Sequence, residues 1–338
     1  MKLTVIAFLI FIGFACSKET KLNVTDPVPT IPPVADTIFS ARTGHAVVAF
    51  KDKLWLFGGL SQSGNNNDVW SSVNGISWKL EIKHAAFTAR NNHKVVIQNN
   101  KLWLAGGSSD GNNREVWSSV DGINWVTESS SVPFLPQGYF GMVVYKDRFL
   151  ANGGISGSVN GQFVGLSDIL WTSADGKSWA NSGTSPFGER FGHSFLEFKD
   201  KIWLVGGASD KPDSVWSSND GLKWDLQTPK AGFGTQISAG VLVYKNELYL
   251  LAGHTPREAF GGRTNEVWSS PDGINWREII KNAAFSPRTG HQAVTFKDKI
   301  FLIGGDSGAG TRRDIDVLKN EIWTSTNGSD WLIANKGN

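Results

Sequence analysis

Sulfur is scarce in this chain: 338 residues contain one cysteine, Cys16, and two methionines. A lone thiol excludes an intrachain disulfide, so stability has to come from packing, and it leaves no cysteine for a thiol mechanism within the body of the protein. Surplus charge is equally scarce, with 33 basic against 31 acidic residues and a net charge of +2, which argues against nucleic acid as the main partner. No glycine-rich phosphate loop and no nucleophile elbow occurs. The apolar run from Leu3 to Phe14 is too short for a permanent membrane span.

What the chain has in abundance is glycine, 38 residues, and tryptophan, 15 residues, and both fall in register. The pair Gly58-Gly59 returns as Gly106-Gly107, Gly153-Gly154, Gly206-Gly207, Ala252-Gly253 and Gly304-Gly305. A period of about fifty residues lies in the range of propeller repeats. Within the first unit, 45–50 and 53–57 are apolar and β-branched or aromatic, and they read as a hairpin across Lys51-Asp52. A second pair, 68–73 and 76–80, flanks Asn74-Gly75. The same place carries Asp121-Gly122, Asp175-Gly176, Asp220-Gly221, Asp272-Gly273 and Asn327-Gly328, so type I′ turns with positive φ at both residues are expected there.

All the tryptophans sit in three columns of the repeat: Trp70 and its equivalents in the third strand, Trp78 and its equivalents in the fourth, and Trp55, Trp103 and Trp203 in the second. Rings at fixed phase fill the wedge between neighbouring twisted sheets, so they are assigned to the core. Phe39, Phe87, Phe134, Phe187, Phe233 and Phe285 recur in every unit and are likewise assigned to the fold.

The chain therefore divides into three parts. Residues 1–16 read as a signal segment, which resembles a bacterial lipoprotein signal ending at a lipidated Cys16, although Gly13 stands where such signals usually carry Leu. Residues 17–36 are polar and Pro-rich and read as a tether. Residues 37–334 hold six units, about 39–82, 87–128, 134–182, 187–228, 233–280 and 285–334. Each unit is continuous in sequence, so the ring is expected to close by packing unit six on unit one, without an N-terminal strand completing the last blade. The implied location is the bacterial cell envelope, lipid-anchored at the outer membrane, on its periplasmic side or at the cell surface, as a monomer.

An Arg before a small apolar strand, a second strand ending in Gly-Gly, and a final Trp about nineteen residues later resemble the kelch family over roughly 39–333. The resemblance implies an all-β fold, a six-bladed propeller with four antiparallel strands per blade. Galactose oxidase shares this architecture, but this chain has no cysteine with which to build its crosslinked copper site. The hairpin SSVDGINW (118–125) also resembles a shortened Asp-box turn of sialidase-type propellers, which is structural.

Where the repeats agree a residue serves the fold, and where they differ function is sought. The column Arg42, Arg90, Gln137, Arg190, Gln236 and Arg288 is followed three residues later by His45, His93, Phe140, His193, Ala239 and His291. The histidines come from different blades without ligand-spaced partners and are read as structural, so no metal and no cofactor is expected. The Arg column has two readings. It either binds a carboxylate or phosphate at the channel mouth, or bonds backbone carbonyls of the next blade. The loops 155–169, 254–266 and 306–321 are long and, by the kelch resemblance, open on the same face as the Arg column. Candidate binding residues are thus Arg42, Arg90, Gln137, Tyr139, Arg190, Gln236, His254, Arg257, Arg263, Arg312, Arg313 and Asp314, on a rim suited to a polar glycan or an envelope protein.

A non-enzymatic binding module is the first functional reading. The alternative is a carbohydrate-active enzyme, because six-bladed kelch proteins include the N-acetylneuraminate mutarotases. In those enzymes a carboxylate and an Arg at the channel mouth act on the sugar, and here Glu189 with Arg190, or Glu258 with Arg257 and Arg263, would take the roles.

Overall fold

The structure is a computed structural model that describes residues 38–109, 114–133, 137–159, 162–256, 262–308 and 317–337. Cys16, the signal and the tether lie outside the described residues, as do Arg257, Glu258, Arg312, Arg313 and Asp314; Gln137 is described by its backbone alone.

The fold is a six-bladed propeller of four antiparallel strands per blade. In the first blade these are Ala46–Phe50, Lys53–Ser61, Gly64–Ser72 and Lys79–Ile82, each paired with the next in sequence. The other blades repeat the order, with inner strands Lys94–Gln98, Gly141–Tyr145, Phe191–Phe198, Gly240–Tyr244 and Gln292–Phe296. Blade six draws all four strands from its own repeat, ending with Leu332–Asn335. The ring closes through an apolar seam in which Ile38, Phe39, Val47, Leu54 and Trp78 of blade one meet Phe296, Phe301, Ile303 and Ile322 of blade six. Across it Asn320 Nδ2 donates to Phe39 O at 3.1 Å.

Among the described residues, five blades repeat the same parts. Phe39, Phe87, Phe187, Phe233 and Phe285 meet the outer-strand rings Trp78, Trp125, Trp224, Trp276 and Trp331 edge-on, with centroids 5.1–5.3 Å apart. The second glycine of the Gly-Gly pair donates its N–H across the seam to the following blade's Arg-column carbonyl, as in Gly59 N to Arg90 O at 2.9 Å and Gly154 N to Arg190 O at 2.8 Å. A Cβ on Gly58 would stand 2.9 Å from Arg90 O, so bare backbone permits the approach. In several blades the second strand runs on past the pair through a register shift, as between Phe57 and Gly59, which extends the hairpin beyond the point where the Gly-Gly break ends it on paper.

The turn assignment is corrected by the structure. Both residues have positive φ in the first hairpin, as at Lys51 (48°) and Asp52 (58°), whereas at the Asn/Asp-Gly positions only the glycine does, as at Gly122 (81°). The chain between Ser119 and Trp125 is closed by side chains instead. Asp121 Oδ1 accepts from the amides of Ile123 and Asn124 at 2.9 and 2.8 Å, and Ser119 Oγ accepts from Gly122 N at 2.8 Å. The glycine is needed for contact, since its Cβ would lie 2.6 Å from the Trp55 ring of the preceding blade. Each turn thus docks on its neighbour's second strand.

These turn carboxylates titrate low. Burial raises the Asp121 and Asp272 carboxyls, but the amide and side-chain donors of Asn124 and Asn275 outweigh it and hold both down to about 2. A depressed folded value makes the stabilisation complete above the unfolded value of about 4 and removes it as pH falls toward the folded value. Asp121→Ala and Asp272→Ala are therefore expected to flatten the decline of the unfolding midpoint between about pH 4 and pH 2. Unfolding scans across that range check it.

Candidate functional site

The inner strands begin on one face of the ring, where the second strand of each blade ends and the third begins. At or just before the start of each inner strand comes a residue with positive φ: Gly44 (62°), Asn92 (54°), Tyr139 (62°), Gly192 (67°), Ser238 (51°) and Gly290 (62°). Their peptides form a hydrogen-bonded necklace around the axis, Asn92 N to Gly44 O at 2.7 Å, Gly44 N to Gly290 O at 2.8 Å, Gly290 N to Ser238 O at 3.2 Å, Ser238 N to Gly192 O at 2.8 Å and Gly192 N to Tyr139 O at 2.7 Å. Between Tyr139 and Asn92 the link is made by side chains instead. Tyr139 therefore stands in the necklace, held in a backbone region that bulky residues rarely adopt and packed edge-on against Phe191 at 6.4 Å.

Below the necklace lies an axial cavity of about 50 Å³, lined by His45, His93, Lys94, Tyr139, His193, Ser194, His291 and Gln292 with parts of the necklace. A water needs roughly 10–15 Å³ by this measure, so the space holds a few waters or a small group and no sugar ring.

The Arg column does not reach this space. Arg42, Arg90, Arg190 and Arg288 are fully buried within their own blades. Arg42 Nη1 donates to Gly58 O at 2.8 Å, and Nη1 and Nη2 hold Asp68 bidentately at 2.7 and 2.8 Å. Arg90 bonds Gly106 O and Glu115, Arg288 bonds Gly304 O and Glu321, and Arg190 bonds Gly206 O, Lys211 O and Ser214 Oγ. The indole N–H two residues after the acid shares it, Trp70 with Asp68 at 2.7 Å and Trp323 with Glu321 at 3.0 Å. Burial lowers the Arg90 and Arg190 guanidiniums to about 10, so both remain charged at neutral pH. Gln236 takes the same place in blade five, buried and bonded to Phe233 O and Glu266. The expectation that Arg42, Arg90, Arg190 and Gln236 contact a ligand is thus corrected, as is the expectation that these side chains reach the next blade. The signal for it, an acid two residues before the third-strand Trp, was present in the sequence.

Of the two groupings assigned the catalytic roles, only Glu189 with Arg190 lies wholly within the described residues. Glu189 is exposed while its neighbour Arg190 is buried among carbonyls, so the two do not share a site.

The histidines are wedges between blades. Cβ atoms built on Gly304, Gly58, Gly153 and Gly240 of the preceding blade would stand 2.8–3.1 Å from the rings of His45, His93, His193 and His291. Burial and then the nearby Arg push all four well below the ordinary histidine value, His93 and His291 to about 3, so the rings are neutral. No group of three His, Cys, Asp or Glu able to hold a metal occurs among the described residues.

On the rim, Arg263 Nη2 pairs with Asp306 at 2.6 Å and joins the hairpins of blades five and six, and Arg263 also donates to Gly308 O. His254 stands on the same hairpin, its value lowered by burial and by Arg263. Asp306 is close enough to raise the Tyr139 hydroxyl, after burial, across the mouth. The structure thus brings His254, Arg263 and Tyr139 around one opening. Sequence reasoning passed over Asn92 and Lys94 there.

Repeat, seam and mouth together define a kelch propeller. The chain belongs to the kelch-repeat family: residues 13–207 match the KLHDC2/KLHL20/DRC7 Kelch-repeats domain. Among solved structures it is similar to that of YjhT, with a TM-score of 0.69 and 14% identity over 87% of this chain and 97% of that one, a likeness of fold. No curated protein matches the sequence.

Proposed function

We propose that this chain is a non-enzymatic binding module that takes a polar glycan on the rim of its hairpin face, tethered at the bacterial envelope through Cys16. The observation that carries the reading is the division of the charged residues. The described arginines of the Arg column are consumed by the fold, and the cavity lining contains no Asp or Glu, so the mouth offers hydrogen-bonding side chains above a cavity too small to hold a sugar ring. A glycan lying across the opening meets Tyr139, His254, Arg263 and Asp306 on hairpins held by rigid sheets. Mutarotation, the activity implied by the kelch resemblance, needs a carboxylate with a proton to exchange beside the sugar. Of the carboxylates assigned that role, Glu189 is exposed and does not line the cavity, and Glu258 lies outside the described residues.

The test is a thermal-shift screen of the protein against sialic acids, neutral sugars and uronic or sulfated oligosaccharides. A ligand at 100 times its dissociation constant adds about 2.7 kcal/mol and raises the midpoint by several degrees. Tyr139→Ala and Arg263→Ala are expected to weaken that ligand about tenfold or more. Acceleration of anomer exchange by the protein would replace this reading with the enzymatic one, and a shift seen only with an envelope protein would replace the glycan.

A further inference from the structure

Two residues after each positive-φ residue of the necklace come Ala46, Lys94, Gly141, Ser194, Gly240 and Gln292, so at this position one blade alone carries a cation, and Lys94 lines the axial cavity. The Lys94 ammonium lies near enough to His93 and His193 to depress both. Its Nζ has no hydrogen bond and no ion pair among the described residues. Other lysines are treated differently. Lys51, Lys146, Lys199, Lys245 and Lys297, exposed at the opposite ends of the inner strands, each donate to a carbonyl of a neighbouring blade. Lys101 and Lys177 share Glu128. Lys94 lines the cavity with neither a carbonyl nor a carboxylate bonded to it among the described residues.

The surroundings do not supply one. No carboxylate lines the cavity, and the four imidazoles are neutral. Arg90 and Arg190, the arginines that act on the same two histidines, are engaged by Glu115 and by carbonyl and hydroxyl oxygens. Burial alone lowers Lys94, to about 8, so the group is an ammonium at neutral pH with no acid in contact to hold it up. An enclosed ammonium without a partner recruits one from solution. The Ser194 hydroxyl and Gln292 amide line the same space and add neutral donors.

We propose that Lys94 holds a small monovalent anion in the axial cavity, a halide, nitrate or the carboxylate of a small acid. The volume of about 50 Å³ accepts such a group with one or two waters and excludes a whole sugar acid. The same chemistry comes from a free ion or from a carboxylate hanging from a saccharide seated on the rim, and the two sources are separable.

The experiment measures the unfolding midpoint of the full-length protein, Lys94→Met and Lys94→Gln, with nitrate, bromide, formate and glucuronate titrated at constant ionic strength. The expected result is a saturable rise for the wild type with the small anions, absent or weakened about tenfold in both variants, and a midpoint for Lys94→Met in anion-poor buffer at or above that of the wild type. Glucuronate alone acting would assign the cavity to a tethered carboxylate rather than a free ion and overturn the free-ion source. Identical responses of wild type and Lys94→Gln to every anion would overturn the site itself. Broadening of the chloride-35 resonance by the wild type and its absence with Lys94→Gln gives a readout that does not depend on stability. Neutral glycan binding on the rim is expected to survive both variants, so loss of the anion site and loss of the glycan site are told apart.

Discussion

Arg42→Met is expected to cost about 3–5 kcal/mol and to lower the unfolding midpoint by roughly 6–10 °C. The size follows from what is left behind. Asp68 accepts two guanidinium N–H groups and the indole N–H of Trp70, and its side chain is 14% exposed, so removing the cation strands a largely buried charge. The carbonyls of Gly58 and Ser40 lose donors at the same time. The check is a double-mutant cycle with Asp68→Leu. Because the buried pair is largely offset by its own desolvation, the double variant is expected to recover much of the loss. An unchanged midpoint in Arg42→Met would mean that the guanidinium is free for a ligand after all.

Phe39→Ala is expected to cost about 3–5 kcal/mol, with the damage concentrated where the ring closes. Phe39 is fully buried and packs edge-on against Trp78 at 5.3 Å, and its carbonyl takes the Asn320 side chain from blade six. Blades one and six stand at opposite ends of the sequence, so no chain connection within the ring holds them together once the ring packing is lost. Hydrogen exchange provides the test. The Gly44 amide, bonded to Gly290 O across this seam, is expected to exchange faster in Phe39→Ala, while the Gly192 amide, bonded to Tyr139 O, changes less. Equal acceleration at both would show that the ring unfolds only as a whole.

The architecture was legible because its determinants recur: a Phe, an Arg, a Gly-Gly pair and two Trp at constant phase leave few ways to pack. The turns were less so. Asp-Gly reads as a two-residue hairpin when strand length is unknown, whereas here a serine three residues before the glycine takes the glycine's N–H and lengthens the connection. The role of the arginines was half legible, since Asp68 and Glu321 precede their tryptophans in plain sight, but which carboxylate a guanidinium meets depends on strand register. Lys94 was hidden by its place at the head of an apolar strand, where an alternating pattern makes a polar residue look like one that faces water. Only the closed ring turns that face inward.

The arginine clasp reaches just sixteen residues for its carbonyl and about twenty-five to thirty-three for its acid, within a single repeat each time. A segment copied whole therefore arrives with its buried charge already neutralised, whatever lies beside it. Duplication can add or drift such units without first evolving matching charges in two of them, and a blade in which Gln236 has replaced the arginine remains able to join the ring.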